Sequence, residues 1–482
     1  MTEVKVCLWN IQNYGSGDVS MKWGPDSDLR NRFITDFIRA EEIDVLLIME
    51  MSTTGEPSLS DLVSTLLSGK DGMPDWAASY CGSALARRAA DPPTDKSQLK
   101  YKTGARTEGY AVLWRTGSSR YSVVPSLNRI SETAPIVSTT AAAAKQVLNI
   151  NTTGRPADND GLDWRPLGGY TTGYVYPYDG KTVMDSWPQL DFPGTGKYDS
   201  LMRWTEARRP IYVVLDLKID KGTPKQRLCP VGAYHAPSKL KRAELGALQA
   251  GLCRELYVVN DLNVNGTPKP NTILHTDRVV LGGDFNYEVK ADVSDPWPGY
   301  YGYFTSPYLK AFTGGANCGV APRPSLIDAE RQTVIRLLKG KEHDEVITGA
   351  SIDAYLSHMI DLVFFRGTGV SAERVNIPSL LLAAVTSAPY AATLQRFHTH
   401  LDTFVKGLKA PNQRVTNKNG PQKKVDNDWL PIISGGWGAE FQNWKSLMAQ
   451  LSKGQLTTAR QAAEFYQIFV SDHLPLVVTL EF

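Results

Sequence analysis

The sequence predicts an α/β protein, and three observations carry that prediction. Short apolar runs with the pattern of strands recur along the chain, and segments with helical spacing lie between several of them. Most of the apolar runs end on a carboxylate, an amide or a histidine. Strands and helices in alternation are the mark of the α/β class.

Val4, Val6 and Leu8 alternate with Lys5, Cys7 and Trp9, which is the pattern of a half-buried strand, and the run ends at Asn10. Ser27 and Asp28 are capping candidates ahead of Leu29, Phe33, Ile34, Phe37 and Ile38, which recur at helical spacing. Asp44 to Met49 is an apolar run too brief for a helix and reads as a strand ending at Glu50. Tyr110 to Trp114 follows Glu108, Ile211 to Leu217 follows Arg208-Arg209-Pro210, and Val231 to Tyr234 runs into His235. Val279-Val280-Leu281 leads through two glycines to Asp284-Phe285-Asn286. Met359-Ile360 introduces Asp361 before Leu362 to Phe365. Phe469-Val470 leads, as one more strand, to Ser471-Asp472-His473, and Leu474 to Phe482 follows as another. Helices are expected at Leu240 to Leu256 and Ala329 to Leu338.

The 482 residues would accommodate about three domains, or one large domain with long insertions. Three stretches break the alternation: 118–206 and 290–350, rich in aromatic residues, and 370–466, rich in lysine and arginine. Polar strand ends precede and follow each stretch, so the expectation is one catalytic domain over 1–482 with three insertions. Composition is ordinary at 42% hydrophobic and 21% charged, which excludes wholesale disorder and fibrous architectures. A formal charge of +2 excludes a polycation that finds nucleic acid by net charge alone, although local basic faces remain. Arg396 to Lys424 carries seven Lys/Arg against the single acid Asp402, and Arg87 to Arg106 carries six against two. The five cysteines are scattered and never form a C-x-x-C pair, which fits reduced thiols. No secretory leader pattern or membrane-length apolar stretch is visible, so a cytoplasmic or intracellular location is expected, with export by a non-classical route left open.

The strand-end residues form a chemically coherent set: Asn10, Glu50, Glu108, Arg208, His235, Asp284, Asn286, Asp361, Asp472 and His473. Carboxylates and amides suit a hard divalent cation, two histidines supply an acid and a base, and an arginine offers a fork for a phosphate. Such a set suits metal-assisted hydrolysis of phosphate esters.

Trp9-Asn10-Ile11-Gln12-Asn13, the Glu50 strand end, Gly283-Asp284-Phe285-Asn286 and Ser471-Asp472-His473 resemble, in order, the motifs of the endonuclease/exonuclease/phosphatase superfamily. Glu108 before Tyr110 to Arg115, Arg208-Arg209-Pro210, and His235-Ala236-Pro237-Ser238 are similar to motifs of its deoxyribonuclease I-like branch. The resemblance implies a two-sheet α/β sandwich with the site at one edge. It implies a Mg²⁺ or Mn²⁺ ion held by Glu50, assisted by Asn10, Asp472 and Asp284. It implies catalytic roles for Asp284 and Asn286, which position water or metal and phosphate, and for His473, oriented by Asp361. It further implies His235 as the second histidine, Glu108 as its partner and Arg208 as the phosphate clamp. Neighbouring Arg209 is an alternative clamp, since a one-residue slip of register would exchange the two.

The activity expected is phosphodiester hydrolysis, with DNA as substrate and nicking as the outcome. A phosphoinositide, sphingomyelin or nucleotide substrate is the alternative on the same scaffold, and a catalytically silent binding protein is the alternative of another class. An inhibitor protein is a conceivable partner, because an intracellular nuclease endangers its own cell. His275, His343 and His358 read as surface or core side chains, and the His398/His400 pair lacks nearby ligands. Asp158 to Asp163 looks calcium-like, yet placing Gly161 at the sixth loop position puts Pro156 at the first, so it reads as a loop and only a weak candidate for a structural Ca²⁺.

Overall fold

A computed structural model describes residues 2–15, 27–52, 56–67, 76–81, 108–124, 128–130, 148–150, 164–167, 175–177, 211–235, 256–259, 273–286, 318–321, 328–339, 345–346, 349–383, 389–407 and 444–482. The strands that matter here are β1 (Glu3–Tyr14), β2 (Val45–Ser52), β3 (Trp76–Cys81), β4 (Glu108–Arg115), β5 (Tyr121–Val124), β6 (Trp164–Leu167) and β7 (Ile211–Leu217). They continue with β8 (Leu228–His235), β9 (Val279–Asp284), β10 (Cys318–Ala321), β11 (Asp361–Arg366), β12 (Val370–Arg374) and β13 (Leu476–Glu481). Among the described residues, the first sheet has seven strands in the order β12-β13-β1-β2-β4-β3-β6, and the second has six in the order β10-β11-β9-β8-β7-β5.

The inner faces of the two sheets meet in one buried cluster. Val4, Val6, Leu8, Val45, Leu47 and Met49 come from the first sheet, and Val213, Leu215, Val231, Ala233, Val280 and Val363 from the second. The outer face of the first sheet is buried as well, under α1 (Ser27–Ala40), α2 (Glu56–Leu67), α3 (Ile377–Ala383), α4 (Ala391–Gly407), α5 (Trp444–Leu451) and α6 (Ala459–Phe469). Double coverage explains why the Val45 to Met49 run is uninterruptedly apolar rather than alternating. The helix read from Leu29, Phe33, Ile34, Phe37 and Ile38 buries all five. Its Phe37 meets Trp9 of β1 at 4.9 Å between ring centroids, and each buried aromatic of this kind contributes about 2 kcal/mol of transfer free energy. The two-sheet sandwich is therefore the architecture expected from the sequence.

Two parallel pairings set the site. β1 runs parallel to β2 with Asn10 opposite Met49, and β8 runs parallel to β9 with His235 opposite Asp284. β9 is antiparallel to β11, which puts Asp284 opposite Asp361. Gly282 and Gly283 permit the sheets to close on each other at this end. A Cβ on Gly282 would lie 2.5 Å from Leu8 Cδ1 and one on Gly283 2.7 Å from Met49 Sδ, both in the first sheet, and the latter would also lie 2.0 Å from the Tyr234 carbonyl oxygen in its own sheet. Gly283 also has φ +140°, a backbone state closed to other residues.

Several local expectations need correction. Of Ala329 to Leu338, only the first residues belong to a helix, Asp328–Arg331; Val334–Ile335 and Leu338–Lys339 are short strands. The branched side chains of Thr333, Val334 and Ile335 favour extended backbone, and Leu356–Ser357 offers them a pairing edge. Phe469 ends helix α6 rather than a strand, because Ala462, Phe465 and Phe469 form one buried helical stripe behind a Thr458/Gln461 capping box. Leu256, the one described residue of the Leu240 to Leu256 segment, begins a strand, Leu256–Val259. Elements of all three presumed insertions lie in the main sheets: β5 and β6, β10, and β12. Among the described residues, no helix is long and apolar enough to cross a membrane.

Gly283→Ala should cost at least about 3 kcal/mol, since both the close approach and the positive φ are violated. Urea denaturation followed by circular dichroism measures this, and a loss below about 1 kcal/mol would show that the strand shifts freely.

Candidate active site

Five strands and one loop deliver the polar residues. β1 carries Asn10 to the rim, where its side chain is fully buried. Glu50 follows Met49 in β2 at a bulge: Met49 pairs with Tyr110 and Met51 with Gly109, so the register shifts at Glu50. Its φ of +59° is strained for a non-glycine residue, and such bulges re-aim a side chain. β8 ends on His235, whose backbone N–H donates to the Tyr110 hydroxyl at 3.0 Å. β9 ends on Asp284, and Asp361 opens β11 beside it.

The Asn10 amide joins the two sheets. Its Nδ2 donates to Glu50 Oε1 and to Asp284 Oδ2, each at 3.0 Å. Asp284 Oδ1 accepts from the Asn286 backbone N–H at 2.7 Å, and Asn286 has φ +49°. His235 Nε2 lies 3.4 Å from Glu50 Oε1 and 3.6 Å from Asp284 Oδ2. On the other side, His473 Nε2 lies 3.7 Å from the same Asp284 oxygen and 3.8 Å from Asp472 Oδ1. His473 Nδ1 meets Asp361 Oδ2 at 2.8 Å, which assigns the ring proton to Nδ1 in the neutral form and leaves Nε2 as an acceptor.

The loop bearing His473 is held by its main chain. Ser471 Oγ donates to the Asn10 carbonyl at 2.6 Å and accepts from the His473 N–H at 3.1 Å. The His473 carbonyl accepts from Trp9 Nε1 at 3.1 Å and from the Tyr466 hydroxyl. Arg30 of α1 donates to the Gln12 carbonyl at 2.9 Å and to the Phe469 carbonyl at 3.4 Å, tying the end of β1 to the end of α6. Burial lowers the Arg30 pKa to about 10, against the attraction of Tyr14 and Asp472.

Eight residues predicted from sequence converge here: Asn10, Glu50, His235, Asp284, Asn286, Asp361, Asp472 and His473. Glu108 opens β4 opposite Ser52, at the same end of the sheet, and its side chain lies outside the described residues. Arg208 and Arg209 lie wholly outside them, as do Asp158 to Asp163 and the basic stretch beyond 407. Arg30, Trp9, Tyr110 and Tyr466 were not legible as supports, because core aromatics and an arginine on an amphipathic helix carry no distinguishing pattern. Ser471 was legible only as part of its motif.

The electrostatics are those of a crowded anionic centre. Burial pushes the Asp284 carboxyl up to about 8; His473 and the Asn286 N–H oppose this, while Asp361 and Glu50 add to it. Burial disfavours charge on His473, but Asp361, Asp472 and Asp284 outweigh it and hold the imidazole well above its ordinary value. Among the described residues, two sets of side chains bring ligand atoms within 4.8 Å of one another, Glu50/His235/Asp284 and Asp284/Asp361/His473. Asn10 Oδ1 and Asp472 Oδ1 are buried with no hydrogen-bond partner among the described residues. Orphaned hard oxygens beside clustered carboxylates fit a divalent cation of the Mg²⁺ or Mn²⁺ type.

Both shifted groups bind their proton more tightly in the fold than in the unfolded chain. The stability each contributes is complete below its unfolded pKa and is lost as pH rises through the folded one, between about 4 and 8 for Asp284. In chelator, the protein should therefore melt several degrees lower at about pH 9 than at about pH 6, and Asp284→Asn should make that slope shallower. Thermal melts across this range provide the check; an unchanged slope in the variant would place the pH dependence elsewhere.

No protein-family model matches the sequence, and no curated protein matches it significantly. Similar solved structures include an endonuclease/exonuclease/phosphatase family protein from Bacteroides thetaiotaomicron, at 11% identity and TM-score 0.35, with 99% of this chain and 97% of that one covered. A mannosyl-6-phosphatase from the same organism aligns at 12% identity and TM-score 0.35, covering 99% and 100%. The human Nocturnin catalytic domain aligns at 15% identity and TM-score 0.29, covering 77% and 85%. Each likeness is distant both in sequence and in superposition.

Proposed function

We propose that this chain is a divalent-metal-dependent phosphodiester hydrolase of the endonuclease/exonuclease/phosphatase type, acting on DNA as an endonuclease or nickase from one elaborated catalytic domain. The observation that carries the reading is the Asp361–His473 pair at 2.8 Å, set against Asp284 in a cluster that also gathers Glu50, Asn10 and His235. An imidazole oriented by a carboxylate, beside a cation-ready set of oxygens, supports hydrolysis by an activated water. The ordered sequence motifs support the same class, and the His235-Ala236-Pro237-Ser238 and Glu108 matches favour a nuclease within it. The basic run from Arg396 to Lys424 would suit a polyanionic substrate.

A cation held by Glu50, Asn10 and Asp284, with Asp472 beside them, would polarise a phosphoryl oxygen and offset the carboxylate charge that keeps His473 protonated. With Nδ1 engaged by Asp361, His473 Nε2 takes the proton of the attacking water. Asp284 and Asn286 orient that water and the scissile phosphate. His235 Nε2, between Glu50 and Asp284, gives a proton to the leaving oxygen or stabilises its charge, with Glu108 as partner. Arg208 clamps a non-bridging phosphoryl oxygen.

Asp284→Ala and His473→Ala should each reduce Mg²⁺-dependent nicking of supercoiled plasmid by roughly 10² to 10⁴ while leaving the circular dichroism spectrum unchanged. Parallel incubations of the parent with plasmid, RNA and a phosphoinositide, with and without Mg²⁺, test the substrate. Parent-level nicking by both variants would refute the site, and turnover of the phosphoinositide alone would replace the nuclease reading.

A further inference from the structure

Thr333 lies behind the Asp361–His473 pair and belongs to none of the groups proposed to touch substrate or cation. It is fully buried, and its hydroxyl is used to capacity. Oγ1 accepts from the Asp361 N–H at 3.2 Å and the Ile360 N–H at 3.4 Å, and donates to the His358 carbonyl at 3.3 Å. One donor and two acceptor sites exhaust what a hydroxyl offers. The Thr333 N–H also donates to the His358 carbonyl at 2.9 Å, and His358 holds a left-handed φ of +49° at the turn into Asp361.

The same short segment grips the other half of the pair. The Thr333 carbonyl accepts from the Leu474 N–H at 2.8 Å, and the Ile335 N–H donates to the Asp472 carbonyl at 2.7 Å. Val334 forms a bridge with His473 on one side and pairs with Ser357 on the other, and Ile335 pairs with Leu356. Residues 333–335 are thus the middle strand of a small ribbon, with the approach to Asp361 along one edge and Asp472–Leu474 along the other. Asp361 and His473 are 112 positions apart in the chain. Thr333 hydrogen-bonds directly both to the Asp361 main chain and to the residue after His473.

We propose that Thr333 is a positioning residue, which fixes the backbone of Asp361 relative to that of His473 and so holds the carboxylate–imidazole contact in its working geometry. The proposal rests on the functional reading above for its effect on rate, and on the ribbon alone for its effect on geometry. A misplacement of about 1 Å in a catalytic group costs up to roughly 10²-fold in rate, so loss of the hydroxyl should appear in kcat. It should leave KM nearly unchanged, because Thr333 is buried away from any substrate.

The test compares Thr333→Ser, which keeps the hydroxyl, with Thr333→Val, which keeps the branched shape, and Thr333→Ala, which keeps neither. Hydrolysis of bis(4-nitrophenyl) phosphate with Mn²⁺ gives kcat and KM. The downfield proton resonance of His473 Nδ1, in histidine-labelled protein in chelator, reports the contact with Asp361 whether or not the probe is hydrolysed. Val and Ala should lose roughly 10- to 100-fold in kcat, with KM within about twofold, and should lose or broaden the resonance. Ser should stay within about threefold of the parent and keep it. If Val does not fold, Ala against Ser makes the same comparison. Hydroxyl-free variants that keep the parent's kcat and resonance would overturn the proposal, as would equal losses in Ser and Val, or a parent lacking the resonance. A parent that hydrolyses no phosphodiester refutes the functional reading instead, and the resonance still decides the role of Thr333.

Discussion

One buried side-chain amide ties this structure together. Asn10, at the end of the first sheet's central parallel pair, hydrogen-bonds a carboxylate from each sheet, Glu50 and Asp284, at 3.0 Å. Ionised together, the buried Asp284 and half-buried Glu50 carboxylates would repel each other, and Asp284 gives up its hydration; an isolated buried carboxylate would cost several kcal/mol. The rest of the site is arranged around that cost. Asp284 stays in place through Asn10, the Asn286 N–H and two histidines, and its pKa rises because those partners do not fully replace water. A divalent cation is the species that would complete the balance, which links the electrostatics of the resting fold to its proposed chemistry.

Delivering Asp284 to Asn10 depends on the sandwich. Side chains packed between sheets keep them about 10 Å apart, far too distant for carboxylates of opposite sheets to share one amide. Gly282 and Gly283 remove the obstruction where it matters, against Leu8 and Met49 of the first sheet, while Val280 two residues earlier still packs in the inter-sheet core. Two glycines before an aspartate therefore express a packing need first and a chemical motif second. The Glu50 bulge supplies the complementary movement from the first sheet, turning a carboxylate toward the rim at the expense of a strained backbone.

Much of this was legible in the sequence, and the failures have physical causes. Strand ends were readable because short apolar runs stop where a polar residue begins, so His235, Asp284 and Asp361 were placed correctly relative to their strands, whereas β1 continues past Asn10 to Tyr14 and β2 past Glu50 to Ser52. The α1 stripe was readable because its outer-face partners demand full burial of one helical side. Thr333 to Ile335 was misread as helix because Val334, Leu337 and Leu338 mimic helical spacing, whereas pairing with Leu356 and Ser357 decides the outcome and is invisible locally. Phe469 and Val470 look like a strand in isolation; Phe465 and Ala462, one and two turns back, make them the end of a helix. Hydrogen bonds from core aromatics to the His473 carbonyl had no sequence signal, since Trp9 and Tyr466 are also ordinary core residues.

The central claim is that carboxylates and an amide from both sheets form one cation site around Asp284. Isothermal titration of Mn²⁺ into the chelator-stripped parent and into Asp284→Asn, each in two buffers of different ionisation enthalpy, tests it most directly. The parent should show one saturable site with proton release on binding near neutral pH, and the variant should lose both. Equal Mn²⁺ affinity in parent and variant, with no proton released from either, would contradict it.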